Sequence, residues 1–81
     1  MLTVKFVKYN RSETNVPNSV ASICVREAEA IHLIIEADGR QVVQCGDAPG
    51  ETFEATVGEG MCAYHVAYIM NEQGRTVETI R

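Results

Sequence analysis

The stretch Ile31-His32-Leu33-Ile34-Ile35-Glu36-Ala37-Asp38-Gly39-Arg40-Gln41-Val42-Val43 decides the fold of this chain. Its Asp-Gly pair separates two apolar, β-branched runs. An Asp-Gly pair in that setting favours a two-residue type I′ hairpin, because both turn residues need positive φ. The alternative is one helix over residues 22–37 that stops at the same Asp-Gly pair. Because the apolar residues of Ile31–Ile35 recur with period two, we favour the hairpin.

The rest of the chain also predicts short strands separated by turns. Alternating or β-branched apolar residues mark strands at 2–9, 20–26, 53–57, 64–70 and 75–80. Polar, Gly and Pro residues mark a loop at 10–19 and a turn at 45–50. The last two strands form a second hairpin, closed by a short loop with Gly74 in the left-handed position. The pattern predicts a single all-β domain over residues 1–81, or a mainly β domain with at most one helix. Its six to seven short strands form a small antiparallel β-sandwich or a partly open barrel.

The length of the chain bounds what kind of site it can hold. A chain of 81 residues buries a comparatively small fraction of its surface and has a thin core. A deep pocket for a small molecule would compete with that core for side chains. We therefore expect function on the outer surface, and self-association is a natural way to cover apolar area.

Sequence features also predict in which cellular compartment the protein acts. The longest apolar run, Ile31–Ile35, is too short to span a bilayer, and the N-terminal residues do not resemble a signal peptide. Three cysteines cannot all pair within one chain, so we interpret them as small, buried apolar residues in a reducing cytoplasm. These features predict a cytoplasmic protein that does not enter a membrane.

Charge is concentrated in the middle of the chain. The net charge is −4, and residues 27–59 carry eight carboxylates against Arg40 alone. Such a balance disfavours nucleic acid, which requires clustered basic residues, and favours a protein partner with a basic surface. A charged face that only keeps the protein in solution is the alternative. The predicted contact residues are Glu27, Glu29, Asp47, Glu51 and Glu54.

Two His and two Cys residues are the candidates for metal binding or nucleophilic chemistry. A type I′ turn would pair His32 with Cys45 across the hairpin, and Cys62-x2-His65 adds two further ligand types. A spacing of three, however, places Cys62 and His65 on opposite faces of a regular strand. We therefore expect ordinary half-buried side chains. No nucleophile elbow or phosphate-binding glycine loop is present, so we predict a non-enzymatic protein without a cofactor.

A tyrosine stripe offers a second possible surface. Tyr64 and Tyr68 share one strand face with Val66 and Met70 in the predicted strand. We expect this face to be core, with the hydroxyls at its rim. If it were exposed, Tyr and Met would be suited to anchor an interface.

The segment Ala67-Tyr68-Ile69-Met70-Asn71-Glu72-Gln73-Gly74-Arg75-Thr76-Val77-Glu78-Thr79-Ile80 resembles a hairpin near the C-terminus of small, uncharacterised proteins from tailed bacteriophages and prophages. The resemblance implies an accessory protein that acts in the bacterial cytoplasm. It also implies binding and blocking of a host factor, such as a defence complex. It implies no active-site residue.

These features together predict a small non-enzymatic protein-binding module. Its specific form would be a phage-encoded inhibitor that covers a functional surface of a host protein. Two alternatives belong to other classes. One is a structural or assembly protein that adds strands at an exposed sheet edge. The other is a small-ligand sponge whose site lies at a subunit interface.

Overall fold

The computed structural model describes residues 1–10, 19–46, 52–60 and 62–81. Seven strands and no helix lie in these residues, which confirms the all-β prediction. None of these segments therefore forms a helix with the length and apolarity needed to cross a membrane. The strands are β1 Leu2–Tyr9, β2 Val20–Ala28, β3 Ile31–Ile35, β4 Gln41–Cys45, β5 Phe53–Val57, β6 Val66–Met70 and β7 Thr76–Ile80.

The strands form two antiparallel sheets that pack as a small β-sandwich. Sheet A has the order β2-β1-β6-β7, and sheet B has the order β3-β4-β5. Apolar side chains from both sheets meet in one core cluster. This cluster contains Val4, Phe6, Ala28, Val43, Cys45, Ala55, Val57, Ala67, Ile69 and Ile80. Of the two predicted architectures, a β-sandwich and a partly open barrel, the chain adopts the antiparallel β-sandwich.

Phe6 lies at the centre of this core. Its side chain is fully buried, and its ring lies 5.8 Å from that of Phe53 and 5.3 Å from that of Tyr64, measured between centroids. Phe53 belongs to sheet B, and Tyr64 is bonded to the same sheet, because its N–H donates to the carbonyl of Thr56 in β5 at 2.9 Å. Tilted aromatic pairs at these distances attract each other by more than the burial of their surface area alone provides. Phe6 therefore stabilises the packing of sheet A against sheet B.

The chain passes directly from the edge of sheet A to the edge of sheet B. Only Glu29 and Ala30 separate the end of β2 from the start of β3. The N–H of Gly46 donates to the carbonyl of Ala30 at 2.9 Å, which extends the pairing of sheet B up to this link. The edges of the two sheets formed by β2 and β3 therefore lie on the same side of the sandwich.

The first hairpin forms as predicted, but its register differs by one residue. The N–H of Glu36 donates to the carbonyl of Arg40 at 2.8 Å, and the N–H of Gly39 donates to the carbonyl of Glu36 at 2.9 Å. The loop therefore has three residues and ends on Gly39, whose φ is 88°. This is the bulged hairpin connection, not the two-residue type I′ turn. The alternative helix over residues 22–37 is excluded, since these residues lie largely in β2 and β3.

The second hairpin confirms its prediction and repeats the same geometry. The N–H of Asn71 donates to the carbonyl of Arg75 at 2.9 Å, and the N–H of Gly74 donates back to Asn71 at 3.0 Å. Gly74 has a φ of 79°, the left-handed conformation that was expected. A three-residue loop ending in a left-handed glycine thus closes both hairpins.

The two predicted loops lie partly outside the described residues. Asn10 and Ser19 close the first loop through a backbone hydrogen bond of 2.9 Å and a side-chain hydrogen bond of 3.0 Å. Residues 11–18 fall outside the described part of the chain, as do residues 47–50 of the predicted turn.

Candidate protein-binding surface

Exposed apolar side chains concentrate on two consecutive strands. Eight large apolar side chains are exposed among the described residues, and six of them lie on β2 and β3. These six are Val20, Ile23, Val25, Leu33, Ile34 and Ile35. Single exposed apolar residues are ordinary on protein surfaces, whereas contiguous ones mark interaction sites. The side of the sandwich formed by β2 and β3 is therefore the candidate surface.

The outer face of sheet A, which points away from the core, is arranged in rows across the strands. Ile23 of β2 lies opposite Val7 of β1, which lies opposite Val66 of β6. The next two rows are Val25 with Lys5 and Tyr68, and Glu27 with Thr3 and Met70. We call these nine residues the outer face. It combines aliphatic, aromatic and charged groups within side-chain reach of one another.

Burial on the outer face falls steeply from the centre of the sheet to its edge. Val7 and Val66 are almost fully buried, whereas Ile23 is 49% exposed and Val25 is 50% exposed. Because β2 has a neighbouring strand on one side only, its outer side chains lack the cover that β1 receives. Ile23 and Val25 thus present apolar surface to solvent at the border of the molecule.

The predicted tyrosine stripe is divided between the two sides of sheet A, so the expectation of one core face was wrong. Tyr64 packs against the core, beside Phe6. Tyr68 lies on the outer face, half-buried, and its hydrogen bond with the Tyr9 hydroxyl raises the pKa of Tyr9. The core side of β6 is instead formed by Ala67 and Ile69.

Met70 is likewise half-buried on the outer face. The period-two pattern failed here for two reasons: the strand begins only at Val66, and β6 is buried on both faces. Tyr68 and Met70 therefore contribute to the outer face the residue types that are enriched at protein interfaces.

The predicted acidic contact residues do not converge on one surface in the described residues. Glu27 lies on the outer face of sheet A, and Glu29 lies in the link between β2 and β3. Glu54 is exposed on β5 and points away from the core, on the opposite side of the sandwich. Asp47 and Glu51 lie outside the described residues. Of the set, Glu27 and Glu29 adjoin the exposed apolar side chains.

The four candidate metal ligands do not form one cluster in the described residues. The corrected register pairs His32 with Gln44 and brings Ile31 opposite Cys45. Cys45 is buried in the core, whereas His32 points to the other face of sheet B. The pairing of His32 with Cys45 was therefore wrong, because the loop has three residues instead of two. No group of three or more His, Cys, Asp or Glu side chains in the described segments is placed to hold a metal ion.

The side chains of His65, Cys45 and Cys62 have different environments. His65 accepts a hydrogen bond at Nδ1 from the backbone N–H of Tyr9, at 2.9 Å. Burial, and secondarily the nearby thiol of Cys24, raises the pKa of the Cys45 thiol. A raised pKa leaves a thiol protonated at neutral pH, so Cys45 is a poor nucleophile. Cys62 is exposed, which contradicts the expectation that all three cysteines are buried.

Two open grooves accompany the hairpin loops. One is lined by Met1, Thr3, Glu27, Met70, Asn71, Glu72 and Gly74. The other is lined by Asp38, Gly39, Arg40, Gln41, Thr56, Val57, Gly58 and Glu59. Both are surface depressions lined partly by loop residues. The first borders the outer face at Glu27 and Met70, and so extends the candidate surface with polar groups.

Comparisons with protein-family models, with curated proteins and with solved structures find no match to this chain.

Proposed function

We propose that this chain is a non-enzymatic protein-binding module that contacts its partner through the outer face of sheet A. The observation that carries the proposal is the pair Ile23 and Val25, half-exposed on an edge strand beside Tyr68 and Met70. Burying the exposed halves of these side chains against a partner would be favourable in proportion to the apolar area removed from water.

Charge supports a partner with both apolar and basic groups. Glu27 lies on the same face of β2 as Ile23 and Val25, and Glu29 follows two residues later. A basic side chain on the partner would meet these carboxylates at the border of the apolar contact. Peripheral charges of this kind raise association rates more than final affinity, and salt screens their effect.

The proposed mode of action is steric occlusion. The outer face spans three neighbouring strands of sheet A, so a partner bound there would have part of its own surface covered. The resemblance of the second hairpin to phage and prophage proteins supports a specific form of the proposal. In that form the chain is a phage-encoded accessory protein that binds a host factor in the bacterial cytoplasm.

The test is affinity capture from host lysate with matched variants. The double variant Ile23→Thr/Val25→Thr removes apolar surface but keeps β-branched side chains, so the strand is preserved. Ile34→Thr is the control, because Ile34 is also exposed on an edge strand but points outward from sheet B, on the opposite side of the sandwich from the outer face. The wild type and the control should capture the same stoichiometric partner, and the double variant should lose it.

A charge variant sharpens the test. Glu27→Lys should slow association with that partner, and the difference from wild type should shrink as salt is added. The proposal is wrong if the Ile23→Thr/Val25→Thr variant captures the partner as well as the wild type does. It is equally wrong if the tagged wild-type protein is recovered with no protein partner.

A further inference from the structure

The strand β3 differs from the other three edge strands. Sheet A ends in β2 and β7, and sheet B ends in β3 and β5. Each of the others carries at least one charged residue, namely Glu27 in β2, Glu78 in β7 and Glu54 in β5. Proteins use such charges to keep sheet edges from pairing with other chains. Apart from His32, β3 contains only Ile and Leu, so it lacks this protection.

Hydrogen bonding defines which backbone groups β3 leaves at the edge. The bond from the Glu36 N–H to the Arg40 carbonyl makes these residues a bonded pair. In an antiparallel ladder bonded residues alternate, so Ile34 and His32 also direct their backbone groups towards β4. The N–H and C=O groups of Ile31, Leu33 and Ile35 therefore point away from β4. No other described strand pairs with that side of β3.

The side chains along this edge are exposed as well. Leu33 is 44% exposed and Ile35 is 60% exposed, although both point to the core side of sheet B. Sheet A does not cover them, because its edge strand β2 approaches β4. The edge thus combines a row of available backbone groups with a row of apolar side chains.

We propose that this edge binds the β3 strand of a second copy of the chain, antiparallel, across a two-fold axis at Leu33. This register pairs Leu33 with its own copy and Ile31 with Ile35 of the other copy. The three outward-facing residues of each strand would form about six backbone hydrogen bonds. The two three-stranded sheets join into one continuous sheet, and the exposed Leu and Ile side chains contact their counterparts.

The residues that face each other in this register are compatible with a second copy as the occupant. In this register Glu36 lies opposite Ala30 of the other copy, and Glu29 lies opposite Ala37. No carboxylate therefore faces another carboxylate across the new pair, an arrangement that would be destabilising. A two-fold axis makes the contact self-complementary and closes it at a dimer. This dimer goes beyond the proposed partner binding, because it forms through the backbone edge of β3 and not through the outer face of sheet A.

The first test is the dependence of mass on concentration, measured by light scattering after size exclusion and by sedimentation. The wild type should shift from monomer to dimer as concentration rises. Leu33→Lys places two like charges at the axis and should weaken dimerisation at least about tenfold. The control Val77→Lys adds the same charge to a different edge strand and should dimerise like the wild type. Circular dichroism verifies that both variants fold.

Salt distinguishes this dimer from the proposed partner binding. Each copy carries a net charge of −4, so added salt should strengthen dimerisation by screening repulsion. The same salt should slow association with a basic partner. A wild type that stays monomeric at every concentration and salt level overturns the dimer, while capture of a partner by the outer face remains independent.

A cross-link tests the register. In a background with Cys62→Ser, Leu33→Cys should form a disulfide-linked dimer under mild oxidation. Opposed residues of a bonded pair have Cα atoms about 5.5 Å apart, within the range of about 4.4–6.8 Å that a disulfide spans. Ile35→Cys is the control, because its two copies would lie about 14 Å apart at about 3.4 Å per residue. Equal cross-linking of the two variants, or a dimer that persists in Leu33→Lys, overturns the proposal.

Discussion

Strands β1 and β2 pair residue by residue, yet their apolar side chains have different environments. Val7 and Ile23 are directly opposite each other on the outer face, but Val7 is 3% exposed and Ile23 is 49% exposed. The difference is position in the sheet, because β1 lies between two strands and β2 lies at the edge. The comparison teaches that similar aliphatic residues stabilise the fold at the centre and remain available for binding at the edge.

The largest expected effect is on the core side of β1. Phe6→Ala should lower the free energy of unfolding by about 3–5 kcal/mol, because it leaves a cavity between the two sheets. The change at the paired position of β2 is Cys24→Ala, and this thiol is only half-buried. It should cost about 1 kcal/mol, since it removes one small, partly exposed group. Urea denaturation measures both. Equal losses would contradict the distinction between central and edge strands.

A smaller effect is expected where β2 contacts sheet B. The guanidinium of Arg26 lies over the ring of Phe53, 4.3 Å from its centroid. Arg26→Ala should cost about 0.5–1 kcal/mol, the range of a cation–π contact at an exposed site. Arg26→Met keeps most of the aliphatic length and removes the charge, so it separates packing from electrostatics. If neither variant changes the urea midpoint, the inner side of β2 contributes no such contact to the fold.

The positions of the strands along the chain could be predicted from the sequence. Which strands are neighbours in each sheet could not. Period-two alternation predicted β1 at the bounds Leu2–Tyr9 that the structure has. Nothing local to Ile23 or Val25 indicates that β2 is an edge, because edge position is set by the pairing of distant strands. Where both faces of a strand are buried, as in β6, alternation cannot identify the core side.

The hairpin shows a second limit of local patterns. An Asp-Gly pair fits a two-residue turn and also a three-residue loop that ends on a left-handed glycine. The left-handed Gly39 ends a three-residue loop in this chain. The register of the hairpin therefore shifts by one residue, and His32 lies opposite Gln44 instead of Cys45. The acidic residues show the same limit, since Glu27 and Glu54 are on opposite sides of the sandwich despite belonging to one acidic segment.

The central claim is that the outer side of β2 is not needed for folding. The smallest expected effect tests this claim most directly. The measurement is the free energy of unfolding of Val25→Thr beside that of Val7→Thr, the same chemical change on one sheet face. Val7→Thr should cost about 1–3 kcal/mol, because it buries a hydroxyl among apolar groups. Val25→Thr should stay within about 0.5 kcal/mol of the wild type, as surface substitutions usually do. Equal, large losses for both variants would contradict the account, because Val25 would then belong to the packing of the fold.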